Sequence, residues 1–87
     1  MRRPNAVKFT KHALERVALW QQHGFALDED TIRQILLQPE KVQLGYRGRK
    51  VAQGLIDEEH VLRVVFEEKE EELLVVTVYP ARRNRYG

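Results

Sequence analysis

Leu73-Leu74-Val75-Val76-Thr77-Val78-Tyr79 is the most apolar run in this chain of 87 residues. A run rich in β-branched residues and apolar at odd and even positions alike reads as a strand covered on both faces, in the interior of its sheet. The C-terminal segment after it, Pro80-Ala81-Arg82-Arg83-Asn84-Arg85-Tyr86-Gly87, holds three arginines and a tyrosine and no acid. A buried strand that ends this way carries positive charge to the rim of a rigid sheet. That is one way to build an anion site, and RNA phosphate is the first anion to consider.

Working back from that strand, the Glu/Lys run 67–72 reads as a hairpin tip whose repelling charges discourage edge-to-edge association. Residues 60–66 alternate as a strand, with Leu62, Val64 and Phe66 on one face and Val61, Arg63 and Val65 on the other. Residues 51–56 form the strand before it, joined through the Asp57-Glu58-Glu59 turn. Val42, Leu44 and Tyr46 share one face of another strand, with a turn at Gly48. Pro39 closes a helix capped by Asp28 or Asp30, with Ile32, Ile35 and Leu36 inward. Thr10 caps an earlier helix through about Gln22, whose apolar face is Ala13, Leu14, Val17 and Trp20, and Gly24 ends it. Residues 6–9 are a first short strand. The predicted order is β-α-α-β-β-β-β: an α+β chain with two helices on one face of a mostly antiparallel sheet. In the last strand, Leu74, Val76 and Val78 are expected to face the helices, with Val75, Thr77 and Tyr79 facing away.

A length of 87 residues fits one domain, with 43% apolar and 32% charged residues, a globular balance. Met1-Arg2-Arg3-Pro4-Asn5 has no apolar segment behind it, so no secretory signal is expected. The chain has no cysteine, which excludes disulfides and thiolate metal sites and fits a cytoplasmic protein. Net charge is only +2, but the basic residues cluster at 1–24, 46–50 and the C-terminal end, whereas acids fill the turns. No P-loop, glycine-rich nucleotide loop, nucleophilic triad or metal-ligand spacing occurs, so no cofactor and no metal are expected.

Several stretches together resemble a family of small, mostly prokaryotic proteins known as domain of unknown function four-two-five-eight. They are Phe9-Thr10-Lys11-His12-Ala13-Leu14-Glu15-Arg16, Pro39-Glu40-Lys41-Val42, Arg49-Lys50-Val51-Ala52, Leu62-Arg63-Val64-Val65-Phe66 and Val75-Val76-Thr77-Val78-Tyr79-Pro80. Nearly the whole chain is covered. That family is similar in size and element order to the RelE/ParE and BrnT toxins of bacterial toxin–antitoxin pairs. The resemblance implies a RelE-like sheet with two helices on one side. It also implies RNA as substrate, the ribosome as a candidate setting, and a small antitoxin protein as partner.

Metal-free RNA cleavage needs a base for the 2′-hydroxyl proton, a cation for the dianionic phosphorane and an acid for the leaving 5′-oxygen. His12 and Arg16, four apart on the first helix, share one side of it, and with Arg82 they are the candidate catalytic residues. Arg49, Lys50, Arg63, Tyr79, Arg83, Arg85 and Tyr86 are the candidate nucleic-acid contacts, the tyrosines by stacking or as proton donors. Each has a plainer alternative: His12 as a helix-start residue bonding locally, the arginine tail as solubilising charge. His23 and His60 are less promising. The function expected is a toxin-like RNA-binding protein acting as a metal-independent endoribonuclease. The alternative is a non-catalytic RNA- or protein-binding module, self-associating through its uncovered sheet face.

Overall fold

The structure, a computed structural model, describes residues 6–83. The first strand, β1 (Ala6–Phe9), runs into helix α1 (Lys11–Gln22). A second helix, α2 (Glu29–Leu37), precedes four strands, β2 (Lys41–Leu44), β3 (Lys50–Leu55), β4 (His60–Glu68) and β5 (Glu72–Arg82). The sheet order is β1-β5-β4-β3-β2, antiparallel except for the parallel pair β1–β5. The apolar run therefore lies inside the sheet, between β1 and β4, as its composition predicts.

Local chemistry starts and stops each helix where the sequence indicates. Thr10 Oγ1 accepts the Ala13 amide at 3.0 Å, and Gly24, with φ 93°, follows the end of α1 in the left-handed conformation that suits glycine. Asp28 caps α2, accepting from the Thr31 amide and hydroxyl, both at 2.9 Å. Ala13, Val17, Ile32 and Ile35 meet Leu62, Val64, Phe66, Val75 and Val78 in one core. Leu14, expected inward, is 43% exposed at the margin of that face. Tyr46 leaves the β2 strand for a 3-10 turn, Tyr46–Gly48, in which Arg47 adopts φ 62°.

The expected facing of β5 is half reversed. Val65 pairs with Thr77 but Phe66 pairs with Val75, so Val76 is an extra residue, a β-bulge. Because side chains alternate along a strand, one inserted residue inverts everything before it. Val78 faces the helices and Tyr79 faces away, as expected. Val75 and Leu73 instead join the core, and Leu74 falls on the helix-free face between Lys8 and Glu67.

The bulge lies where β1 gives way to α1. Beyond Val75, β5 has no strand neighbour on that side among the described residues, and α1 covers its edge. The Thr10 amide donates to Val75 O at 3.0 Å, Thr10 Oγ1 to Val76 O at 3.1 Å, and Trp20 Nε1 to Val78 O at 3.1 Å. Edge carbonyls that would otherwise lack partners are thus satisfied by the helix.

Candidate nucleic-acid interface

β4 begins where β5 finishes, so His60 lies directly opposite Arg82. Opposed residues of antiparallel strands share a face, with Cβ atoms about 4.5–5.5 Å apart. The turn before β4 closes through Ile56 N–H donating to His60 O at 3.1 Å. Within it, Asp57 Oδ1 accepts the Glu59 amide at 2.8 Å and lies 3.0 Å from His60 Nδ1, with Oδ2 at 3.2 Å. A carboxylate on Nδ1 holds the proton there, so Nε2 is the basic nitrogen; among the described residues nothing bonds to it. The Glu59 amide, and after it His60, hold the Asp57 carboxyl below its ordinary range.

Aromatic rings pack behind this histidine. Phe25 meets His60 edge-on at 5.1 Å, Trp20 lies 6.0 Å from Phe25, and His23 lies 5.7 Å from Trp20. Arg82 and Arg83 are exposed. The Arg83 amide donates to Glu59 O at 2.9 Å, tying the end of β5 to the turn that carries Asp57. A base, its orienting carboxylate and a cation thus gather at one end of the sheet, drawn from two adjacent strands and their turn.

The helix-free face carries a second polar group. Gln53, Arg63 and Tyr79 are cross-strand neighbours on β3, β4 and β5. Arg63 Nε donates to Tyr79 Oη at 2.9 Å, Nη1 to Gln53 Oε1 at 2.5 Å and Nη2 to Gln43 Oε1 at 2.9 Å. Four strands each contribute one side chain. Arg63 is 7% exposed and Gln53 1%, so this guanidinium is fixed rather than mobile. By accepting from Arg63, Tyr79 keeps its own hydroxyl proton for another acceptor.

The remaining candidates lie apart. Arg49 pairs with Glu67 and Lys50 with Glu68, both at 2.8 Å, at the other end of β4. Arg49 and Lys69 hold the Glu67 carboxyl below its usual range. His12 Nε2 accepts from Arg16 Nε at 3.4 Å on α1, whose first turn is anchored at Val76. That level is roughly 20 Å along β5 from Arg82, at about 3.3 Å per residue. The structure therefore sets Arg82 opposite His60, ties the Arg83 backbone to Glu59 and joins Arg63 to Tyr79, whereas His12 and Arg16 bond to each other on α1, with His12 in the turn anchored at Val76. Arg85 and Tyr86 lie outside the described residues. His60 is unpromising from sequence alone; its one signal there is an aspartate three positions earlier across a tight turn.

Among the described residues no cluster of histidine and carboxylate side chains is arranged to hold a metal ion, and no helix is long and apolar enough to cross a membrane. Comparison with known protein families, with curated proteins and with solved structures finds no match.

Proposed function

We propose that this chain is an RNA-directed protein of RelE-like layout that cuts single-stranded RNA without a metal ion at the end of its sheet, and that a small antitoxin protein restrains it. The observation that carries the reading is the Asp57–His60 pair standing opposite Arg82. His60 Nε2 takes the 2′-hydroxyl proton, and the freed oxygen bonds to phosphorus. Arg82 lies against the dianionic phosphorane. The bond from phosphorus to the 5′-oxygen breaks, that oxygen takes a proton from solvent, and the products are a 2′,3′-cyclic phosphate and a 5′-hydroxyl. Arg83 adds phosphate attraction, and the exposed ring of His23 beside Trp20 offers a surface for an unpaired base.

A second reading, a non-catalytic RNA-binding module, uses the same exposed Arg82 and Arg83. Both readings require binding, which fluorescence anisotropy of a labelled single-stranded RNA measures. Binding at about 50 mM salt that weakens steeply as salt rises is expected, because phosphate contacts release counterions. Replacing Arg82 and Arg83 by alanine is expected to weaken it about tenfold or more, and Lys69→Ala to leave it near wild type. Absence of binding, or equal affinity in the double variant, contradicts the proposal. RNA that binds and stays intact selects the module.

A further inference from the structure

The two edges of the sheet are treated differently. Both edge strands are four residues long, but at the β1 edge α1 covers what β1 leaves open along β5. At the other edge β2 is exposed at every residue, with Val42 48%, Leu44 82% and, just beyond, Tyr46 80% exposed. Proteins that keep an edge solitary usually shield it with charge, proline, a bulge or a covering element. Within β2 the only charge is Lys41.

The hydrogen-bond direction along β2 can be read. Gly45 N–H donates to Arg49 O at 2.6 Å, and Leu44 opposes Lys50. Antiparallel pairs alternate between hydrogen-bonded and non-hydrogen-bonded. Gly45, Gln43 and Lys41 therefore turn their backbone groups to β3, and Val42 and Leu44 turn theirs outward. Their side chains lie on the helix-bearing face, as Val42 opposes buried Ala52.

From this pattern we infer that β2 pairs with β2 of a second copy, antiparallel about a two-fold axis at Gln43, joining two sheets into one. In that register Val42 opposes Leu44 of the second copy and Leu44 its Val42. The outward N–H and C=O groups of both residues are matched, and the two apolar side chains of each strand meet across the junction. Gln43 opposes its own equivalent, amide to amide. Charge complementarity supports the same occupant. Lys41 falls opposite a glycine, and Glu40 comes beside the loop that carries Arg47, which stacks on Tyr46 and has no carboxylate partner among the described residues. Shifting the register so that Val42 meets itself would set Leu44 against Glu40. A strand this short buries an area at the low end for stable complexes, so the dimer forms in proportion to concentration.

Sedimentation across a concentration series, with two variants, tests the inference. Wild type is expected to rise toward twice the monomer mass. Leu44→Pro removes an outward N–H and an exposed side chain but no backbone bond to β3, so it is expected to keep the wild-type circular dichroism and remain monomeric. The chain has no cysteine, so Gln43→Cys is expected to form a disulfide-linked dimer under mild oxidation, and Val42→Cys far less. A wild-type protein monomeric at every concentration, a Leu44→Pro protein that dimerises as well as wild type, or crosslinking through Val42→Cys in place of Gln43→Cys would overturn it.

Discussion

A histidine bonded through Nδ1 to a carboxylate has one nitrogen left for chemistry, and in His60 that is Nε2. Asp57 is therefore a positioning residue. Asp57→Asn is expected to lower RNA cleavage about tenfold or more with binding little changed; equal losses in cleavage and binding would point to a turn that has merely come apart. Among the described residues three carboxyls are held below their ordinary ranges: Asp28 by the Thr31 amide and hydroxyl, Asp57 by the Glu59 amide, Glu67 by Arg49. A depressed folded value means stability that is complete above the unfolded values, about 3.9 for aspartate and about 4.3 for glutamate, and lost as pH falls through the folded ones. The melting temperature is thus expected to hold between about pH 7 and 5, so far as these groups govern it, and to drop below about pH 4. A variant carrying Asp28→Asn, Asp57→Asn and Glu67→Gln together should show a shallower drop. An unchanged drop would place acid sensitivity elsewhere. At this scale the sequence displayed Arg82 and Arg83 beside an apolar strand, but the partner of a cross-strand pair depends on register, so His60 was not legible as their neighbour.

At the scale of elements, packing of helices on sheet depends on a few close approaches. A methyl group added at Gly54 would lie 2.7 Å from Ile35 Cγ1, so α2 rests on β3 only because that position is bare. Gly54→Ala is expected to destabilise by about 1–3 kcal/mol, read by urea denaturation. Paired with Ile35→Ala it should cost less than the two changes summed, since the smaller side chain vacates the contested space. Strict additivity would contradict this account of the contact. Thr10 serves α1 and β5 at once, accepting from Ala13 and donating to Val76 O. Thr10→Val is expected to cost about 1–2 kcal/mol, and with it about 4–8 °C of melting temperature per kcal/mol for a chain this size. Both caps and the strand–helix alternation were legible, because Thr10, Asp28, Gly24 and Pro39 act on their own neighbours. The reversed facing of Val75 was not. The bulge at Val76 arises where β5 passes from a strand neighbour to a helix, a tertiary event that leaves no mark in a run apolar at nearly every position.

For the molecule as a whole, the near-neutral total conceals separation. Acids of the 67–72 tip neutralise Arg49 and Lys50 at one end of the sheet, leaving Arg82 and Arg83 exposed at the other beside a histidine that a carboxylate orients. The sheet sets these two ends apart by the length of β4, and its β2 edge, where Leu44 opposes Lys50, lies away from the Arg82 end. Joining two copies there would leave each Arg82 end open to RNA. The α+β layering and the order of elements along the chain were legible from periodicity and turn residues, whereas the order of strands in the sheet and the gathering of charge at one end required the strand pairing itself. The direct measurement uses a single-stranded DNA oligonucleotide with one internal ribonucleotide, incubated with the protein in excess chelator and analysed by mass spectrometry. The expected result is a cut at that ribonucleotide alone, leaving a 2′,3′-cyclic phosphate and a 5′-hydroxyl, and reduced about a hundredfold or more by His60→Ala. An oligonucleotide that stays whole under stoichiometric protein, or one cut as fast by His60→Ala as by wild type, would contradict the account.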